Sequence, residues 1–302
     1  MNYRHRFHAG NFADVAKHAL LVQLLRGLQR KEKGFLYLDT HAGCGGYDLH
    51  AAARGDSLAR EPEHPAGIGR LADCDGSGAE SDPISGYAAL VRRFDREARG
   101  TPPDGADAVT GGTDIRFYPG SPALARLLLR PQDRMALCEK HPAEFAALRE
   151  QLGRARRVSL HEMDGYTAIR AMLPPPEKRA LVLIDPPFEE REEFARITEA
   201  LAGGVRRAPG ATFAVWYPLT ERARADAFLD EIAAGGAAPA FAAELTVAGE
   251  DSPLRMRGCG VAVLNPPWQV DRVIAPMMRR LAALLAQGDG GAGGLRWITP
   301  EE

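Results

Sequence analysis

Helix-like and strand-like apolar runs alternate along most of this chain. Val15, Leu21, Val22, Leu25 and Leu28 recur near helical spacing, which predicts a helix over 12–31 with Asn11 as its N-cap. Short apolar runs at 35–39, 135–139, 158–161, 181–185 and 211–217 read as strands. Helical patterns at 142–152, 166–173, 192–201 and 220–234 separate them. Ser121 and Pro122 open a further helix to about residue 130, with the serine as cap and the proline at the first helical position. Runs at 241–247 and 259–264 read as a closing strand pair, the second being the last strand of the sheet. Strands alternating with helices argue an α/β fold with a mostly parallel, doubly wound sheet. Between residues 48 and 114 the texture changes: Gly, Asp, Pro and Ser accumulate around one helical stretch, 84–98. This reads as a small inserted subdomain within one 302-residue domain, and not as core.

Composition narrows the picture slightly. A hydrophobic fraction of 45% supports a sizeable core, and a formal net charge of −2 gives no global signal for a polyanion. Nucleic-acid binding would therefore need local patches. The four cysteines have no paired spacing, so neither a zinc site nor a disulfide framework is expected, and a reducing compartment fits. No signal-peptide core and no long apolar run is present, which points to a cytoplasmic protein without a membrane span or a metal. No dimer helix stands out, and a monomer is expected.

The strongest chemical signal is Leu181-Val182-Leu183-Ile184-Asp185-Pro186-Pro187-Phe188. A strand buried on both faces runs into two prolines, which cannot continue its ladder. Asp185 and Phe188 are thereby held at a strand's carboxyl end, where open α/β sheets bind ligands. The carboxylate and a carbonyl of the Pro186 loop can accept both hydrogens of an exocyclic amine, while Phe188 stacks on the ring. Such an amine is a poor nucleophile, and two acceptors can aim its lone pair at a methyl donor. Asn265-Pro266-Pro267-Trp268 is a similar tetrapeptide, but it follows the far strand pair and reads as a structural turn.

Other strand ends supply the cofactor half. Asp39 precedes a loop whose Gly43, Gly45 and Gly46 allow close backbone approach. Glu139 ends the second strand and can accept from ribose hydroxyls, and Asp164 follows the third. S-adenosylmethionine fits these acids better than a nicotinamide, because it carries a reactive methyl and a nicotinamide enzyme has no need of Asp-Pro-Pro-Phe.

These residues resemble a family, the bacterial 23S ribosomal RNA adenine N6-methyltransferases of the RlmJ type. The resemblance runs from Tyr3-Arg4-His5-Arg6-Phe7-His8-Ala9-Gly10-Asn11, Asp14 and Lys17-His18 through Tyr37-Leu38-Asp39-Thr40-His41-Ala42-Gly43. It continues through Tyr118-Pro119-Gly120-Ser121-Pro122, Glu139, His141-Pro142 and Asp164-Gly165 to Ile184-Asp185-Pro186-Pro187, Trp216-Tyr217-Pro218 and the Asn265 turn. It implies a Rossmann-like class I methyltransferase sheet with a helical insertion after the first strand. It implies Asp185 as the catalytic acid, with Pro186 and Phe188 beside it, and 23S ribosomal RNA as partner. His18, His41, Ser121, Glu139, Asp164 and Gly165 fall on cofactor-contacting positions, with Lys17 and Gly43 as further candidates. Phe188 stands where the family usually has tyrosine, and Cys44-Gly45-Gly46 where it usually has Ala-Gly-Arg.

The segment 1–11 interleaves cations and rings, and Tyr3, Arg4, His5, Arg6 and His8 are RNA-contact candidates for a flipped base. Arg154, Arg156, Arg157, Arg206 and Arg207 read as solvated faces, and Arg255 and Arg257 as weaker RNA candidates. Spacing alone leaves His18 equally compatible with a core histidine. The nearest rival is a DNA adenine N6-methyltransferase, disfavoured because no separate target-recognition domain is visible. A non-catalytic ribosomal RNA-binding assembly factor is disfavoured by the intact Asp-Pro-Pro-Phe, and a nicotinamide-dependent oxidoreductase is more distant.

Overall fold

The computed structural model describes residues 7–54, 61–72, 74, 82–100, 115–236 and 238–301. Helix α1 (Phe12–Gln29) leads into strand β1 (Leu36–Asp39). The Asn11 side chain caps α1 by accepting from the backbone of Ala13 and Asp14, as the sequence predicts. After a ribbon of β2 (Gly46–Asp48) with β3 (Phe117–Pro119) come α4 (Ser121–Leu128), β4 (Arg134–Glu139), α5 (Pro142–Leu152) and β5 (Val158–Glu162). The chain continues through α6 (Gly165–Met172), β6 (Ala180–Ile184), α7 (Glu193–Arg207), β7 (Thr212–Pro218), α8 (Arg222–Gly235), β8 (Ala240–Thr246) and β9 (Gly258–Leu264). It closes with α9 (Asp271–Leu285) and β10 (Ala292–Thr299).

The eight-stranded sheet has the order β10-β8-β9-β7-β6-β1-β4-β5. Pairings from β7 to β5 are parallel, whereas β9 is antiparallel to both β7 and β8. The strand ending before Asp185 lies directly beside the strand ending in Asp39, so the chain order β1-β4-β5-β6 reverses at β1. That is a switch point, where α/β sheets open a crevice at the strands' carboxyl ends.

Alternation along the strands supplies two cores. Tyr37, Leu181 and Leu183 face one side with α1, α4 and α9, and Leu36, Leu38, Val182 and Ile184 face the other with α6, α7 and α8. Because α1 is buried almost all round, Leu20, Leu21, Leu24 and Leu25 each contribute about 1.5–3 kcal/mol by burial.

Four sequence expectations change. The pair 241–247 and 259–264 forms as β8 and β9, but it does not close the sheet, because α9 and β10 follow. Pro276 inside α9 and the glycines opening β10 obscure both patterns in the sequence. Gly120, not Ser121, occupies the cap position of α4, because the serine hydroxyl is drawn to Asp39. The short helix α2 (Leu49–Arg54) was not anticipated. Finally, α3 (Pro83–Ala98) does not stand outside the core: Ile84, Tyr87 and Val91 are fully buried in the cluster that includes α1. Parts of the 48–114 stretch, 55–60, 75–81 and 101–114, lie outside the described residues, as do Tyr3, Arg4, His5 and Arg6.

Candidate active site

The carboxyl end of β6 presents Asp185, which is 16% exposed, to the ammonium of Lys17 on α1. Lys17 Nζ lies 2.6 Å from Asp185 Oδ2 and 2.8 Å from Asp14 Oδ1, while Asp14 Oδ2 accepts from the Gly10 backbone at 3.0 Å. Lys17 and Asp14 are almost completely buried. Burial alone would lower the lysine pKa, but the two carboxylates outweigh it and raise it well above the usual range. The cation is therefore permanent at neutral pH. Asp185 Oδ1 takes no hydrogen bond from the described residues and is left as an acceptor.

The strained loop after Asp185 aims the ring that follows. Phe188 adopts φ +51°, a left-handed conformation that costs a non-glycine residue about 1 kcal/mol or more. Its ring meets Phe194 at 5.0 Å and Trp216 at 5.6 Å between centroids, both edge-on. Phe188 is half-buried, three residues beyond the carboxylate, and Trp216 of β7, which the sequence reading gave no role, packs against its ring.

On neighbouring β1, Asp39 is fully buried and its Oδ2 accepts from Tyr37 and Ser121 hydroxyls at 2.7 Å each. Burial pushes its carboxyl up to about 6, against the two hydroxyl donors, which act to lower it. Thr40 donates its one hydroxyl proton to the Leu183 carbonyl at 2.9 Å, so toward His41 Nδ1, 2.8 Å away, it accepts. That assigns the His41 proton to Nδ1 and a lone pair to Nε2. Burial lowers the His41 pKa to about 4, keeping the ring neutral.

Glu139, at the end of β4, accepts from Gly43 N through Oε2 at 2.8 Å and from His141 N through Oε1 at 2.7 Å. Each oxygen keeps a second lone pair, and Gly43 reaches it with φ +58°. Asp164 caps α6 through Thr167 N at 3.0 Å and pairs with Arg196 at 3.1 Å. Burial would raise its pKa, but the Thr167 N–H and Arg196 hold it below the usual carboxylate range. Gly165 brings α6 so close to β1 that a Cβ would lie 2.1 Å from the Thr40 carbonyl.

The fold thus gathers Asp185, Pro186, Phe188, Lys17, His41, Gly43, Glu139, Asp164 and Gly165 around the ends of β1, β4, β5 and β6. Ser121 acts on Asp39, and His18 is a buried residue whose Nδ1 meets Tyr118 Oη at 2.8 Å, itself 2.8 Å from Tyr87 Oη. His8 pairs with Glu63 at 2.9 Å. Sequence reasoning gave no role to Asp14, although its spacing of three residues from Lys17 on a helix was an available signal.

An adenosyl cofactor needs acceptors for ribose hydroxyls and backbone that allows close approach. The spare lone pairs of Glu139 and the left-handed Gly43 meet those demands.

Comparison with known proteins finds relatives along nearly the whole chain. The family model described as "Ribosomal RNA large subunit methyltransferase D, RlmJ" matches residues 32–299. Ribosomal RNA large subunit methyltransferase J of Escherichia coli (strain K12) is 34% identical over 301 residues, covering 100% of both chains. Its namesake from Haemophilus influenzae is also 34% identical, again over 100% of both. A crystal structure of a protein from Legionella pneumophila str. Philadelphia 1 is 29% identical, covers 98% of this chain and 99% of its own, and superposes with a TM-score of 0.79.

Proposed function

Because the chain belongs to the RlmJ family of ribosomal RNA large subunit methyltransferases, we propose that it methylates N6 of an adenine in 23S ribosomal RNA, using S-adenosylmethionine. One observation carries the reading: Asp185, at the mouth of the switch-point crevice, has one oxygen fixed by Lys17 and the other left to accept. The target adenine, flipped from its helix, enters between Asp185 and Phe188. Asp185 Oδ1 and the Pro186 carbonyl accept the two amine hydrogens, turning the nitrogen lone pair out of the ring. Phe188 packs on the base and Trp216 holds the phenyl ring in place.

The bound cofactor supplies an electrophilic methyl group on a sulfonium. Glu139 holds its ribose, and the Gly43 loop lets the backbone approach. Asp14, Lys17 and Asp185 together carry one net negative charge, which complements a cationic donor. Transfer of that methyl to N6, with the sulfur keeping the bonding pair, would leave the amine acidic, and Asp185 Oδ1 would take its proton and pass it to solvent. Lys17 stays protonated throughout and keeps Oδ2 engaged. The protein works as a monomer in the cytoplasm, and no helix among the described residues is long and apolar enough to cross a membrane.

The test is transfer of labelled methyl from S-adenosylmethionine to unmodified 23S RNA, with duplex DNA and 16S RNA alongside and Asp185→Ala as control. Label recovered as N6-methyladenine in 23S RNA, and lost in the variant, is expected. Label in DNA alone would refute the substrate class.

A further inference from the structure

The net charge of −2 conceals a polarised molecule. At the sheet's carboxyl edge stand Asp39, Glu139, Asp164 and Asp185, with Glu189, Glu190 and Glu192 following on the next loop. Lys17, Lys140, Arg191 and Arg196 offset part of that charge, with Lys17 pairing Asp185 and Arg196 pairing Asp164 and Glu190, but the acids outnumber them. At the opposite edge the balance reverses. Each loop feeding a parallel strand carries cations, including Lys31 and Lys33 before β1, Arg156 and Arg157 before β5, and Lys178 before β6, with Arg207 ending the helix before β7. All six are exposed, and none has an acidic partner within ion-pair distance among the described residues. The acids there are few: Asp133 is held by Arg130 and Glu177 by Arg134, leaving Glu32 and Glu150 exposed, the latter beside Arg154.

Helix ends attract cations, since each helix C-terminus carries about half a negative charge. One cation satisfies that, whereas three follow α1 (Arg30, Lys31, Lys33) and three follow α5 (Arg154, Arg156, Arg157). These clusters, scattered as solvated faces in the sequence, are aligned by the strand order β7-β6-β1-β4-β5 into a row about 19 Å long. Lys178, Arg179 and Arg207 stand at a cavity of about 260 Å³ in this row, otherwise lined by Pro, Ala and Gly, with the Arg179 guanidinium held by the Leu28 and Lys33 carbonyls. Beside it Trp268, 69% exposed, is anchored through its carbonyl by Arg30 at 2.6 Å. An exposed ring among free cations offers a stacking platform along a phosphate track.

We propose that this amino-terminal edge of the sheet is a second RNA-binding surface, which holds the phosphate backbone of a part of the substrate distant from the target, while the target nucleotide itself is engaged at the carboxyl edge. The proposal rests on the reading of the chain as an RNA methyltransferase. Trp268 stacks on an unpaired base of the same RNA, and the cations bind without regard to sequence.

The test compares wild type with the combined variant Lys31→Gln, Lys33→Gln, Lys178→Gln and Arg207→Gln. A control removes the same charge elsewhere: Arg93→Gln, Arg96→Gln, Arg170→Gln and Arg279→Gln. Affinity for 23S RNA is measured against salt, and KM and kcat for methylation are measured alongside. In the edge variant the slope of log affinity against log salt becomes shallower by about 3 to 4, and its deficit relative to wild type is roughly a hundredfold larger at about 50 mM than at about 200 mM salt. KM for RNA rises at least about tenfold, from four exposed charges at a few tenths of a kcal/mol each, while kcat, S-adenosylhomocysteine affinity and thermal unfolding stay unchanged. Trp268→Ala raises KM with an unaltered salt slope.

An unchanged slope and KM in the edge variant, with wild type methylating 23S RNA, overturns the surface alone. So does loss in the control variant but not in the edge variant. Loss of binding to phosphatidylglycerol vesicles with RNA affinity intact also overturns it, assigning the edge to a lipid surface. Wild-type protein that binds no RNA would sink both this surface and the reading beneath it.

Discussion

Replacing Lys17 with methionine isolates the energetics of the buried trio. Its ammonium sits 2.6 Å from Asp185 and 2.8 Å from Asp14 with 5% of the side chain exposed. At an effective dielectric constant near 20, each contact is worth roughly 6 kcal/mol before desolvation. Most of that offsets the cost of burying the ions, and the net loss on removing one partner is about 3–5 kcal/mol. Asp14, 4% exposed, bears the larger share, because Asp185, 16% exposed, can be rehydrated. With an unfolding entropy of about 0.6 kcal/mol per degree for a chain of this length, the midpoint should fall by about 5–8 °C. Calorimetry or urea unfolding reads this directly. Adding Asp14→Asn removes the orphaned charge while leaving an oxygen for the Gly10 N–H, so Lys17→Met/Asp14→Asn should recover most of the stability but none of the activity. A single variant within 1 kcal/mol of wild type, or a double variant no more stable than the single one, would refute the reasoning.

Three further outcomes are expected. Gly165→Ala drives a methyl into the Thr40 carbonyl and should cost about 3 kcal/mol, measured by denaturant unfolding. Because burial raises the Asp39 carboxyl to about 6 in the folded state, the folded form binds that proton more tightly, so its contribution to stability falls as pH rises from about 4 to 6. The loss is about 3 kcal/mol and should disappear in Asp39→Asn; His41, lowered to about 4, has the opposite sign and loses stability as pH falls from about 6.5, so the readout is the wild-type minus Asp39→Asn difference. Glu139→Gln forfeits charged acceptors and should weaken S-adenosylhomocysteine binding roughly ten- to a hundredfold by calorimetric titration, with the midpoint of unfolding little changed.

What was legible in the sequence was local. The Asp185 strand betrays itself because burial on both faces demands an unbroken apolar run, and the acids at strand ends follow from where each run stops. The adjacency of β6 and β1 belongs to the class I methyltransferase sheet that the resemblance implies, and not to any local pattern. Contacts that depend on distant segments were not legible. Nothing near Ser121 indicates that its hydroxyl would leave the helix end for Asp39, 82 positions earlier. Lys17 was read as a cofactor contact, and only the docking of α1 on the sheet brings its ammonium to Asp185. Tyr87 reaches the core by meeting Tyr118 across a stretch whose Gly and Asp content masks the apolar face of α3. The polar edge opposite the site was invisible for a related reason: its cations are spread over loops that become neighbours only through strand order.

The link between Lys17 and Asp185 spans 168 positions, and that separation sets a timetable for synthesis. At roughly 5–20 residues per second, the lysine leaves the ribosome about 10–30 s before Asp185 is made. During that interval Asp14, one helical turn away, neutralises it, so α1 can collapse with neighbouring apolar segments without burying a bare cation. The arrival of β6 then adds the second carboxylate. Competence for chemistry is a late event in the life of the nascent chain, delivered only when its first helix and its sixth strand meet.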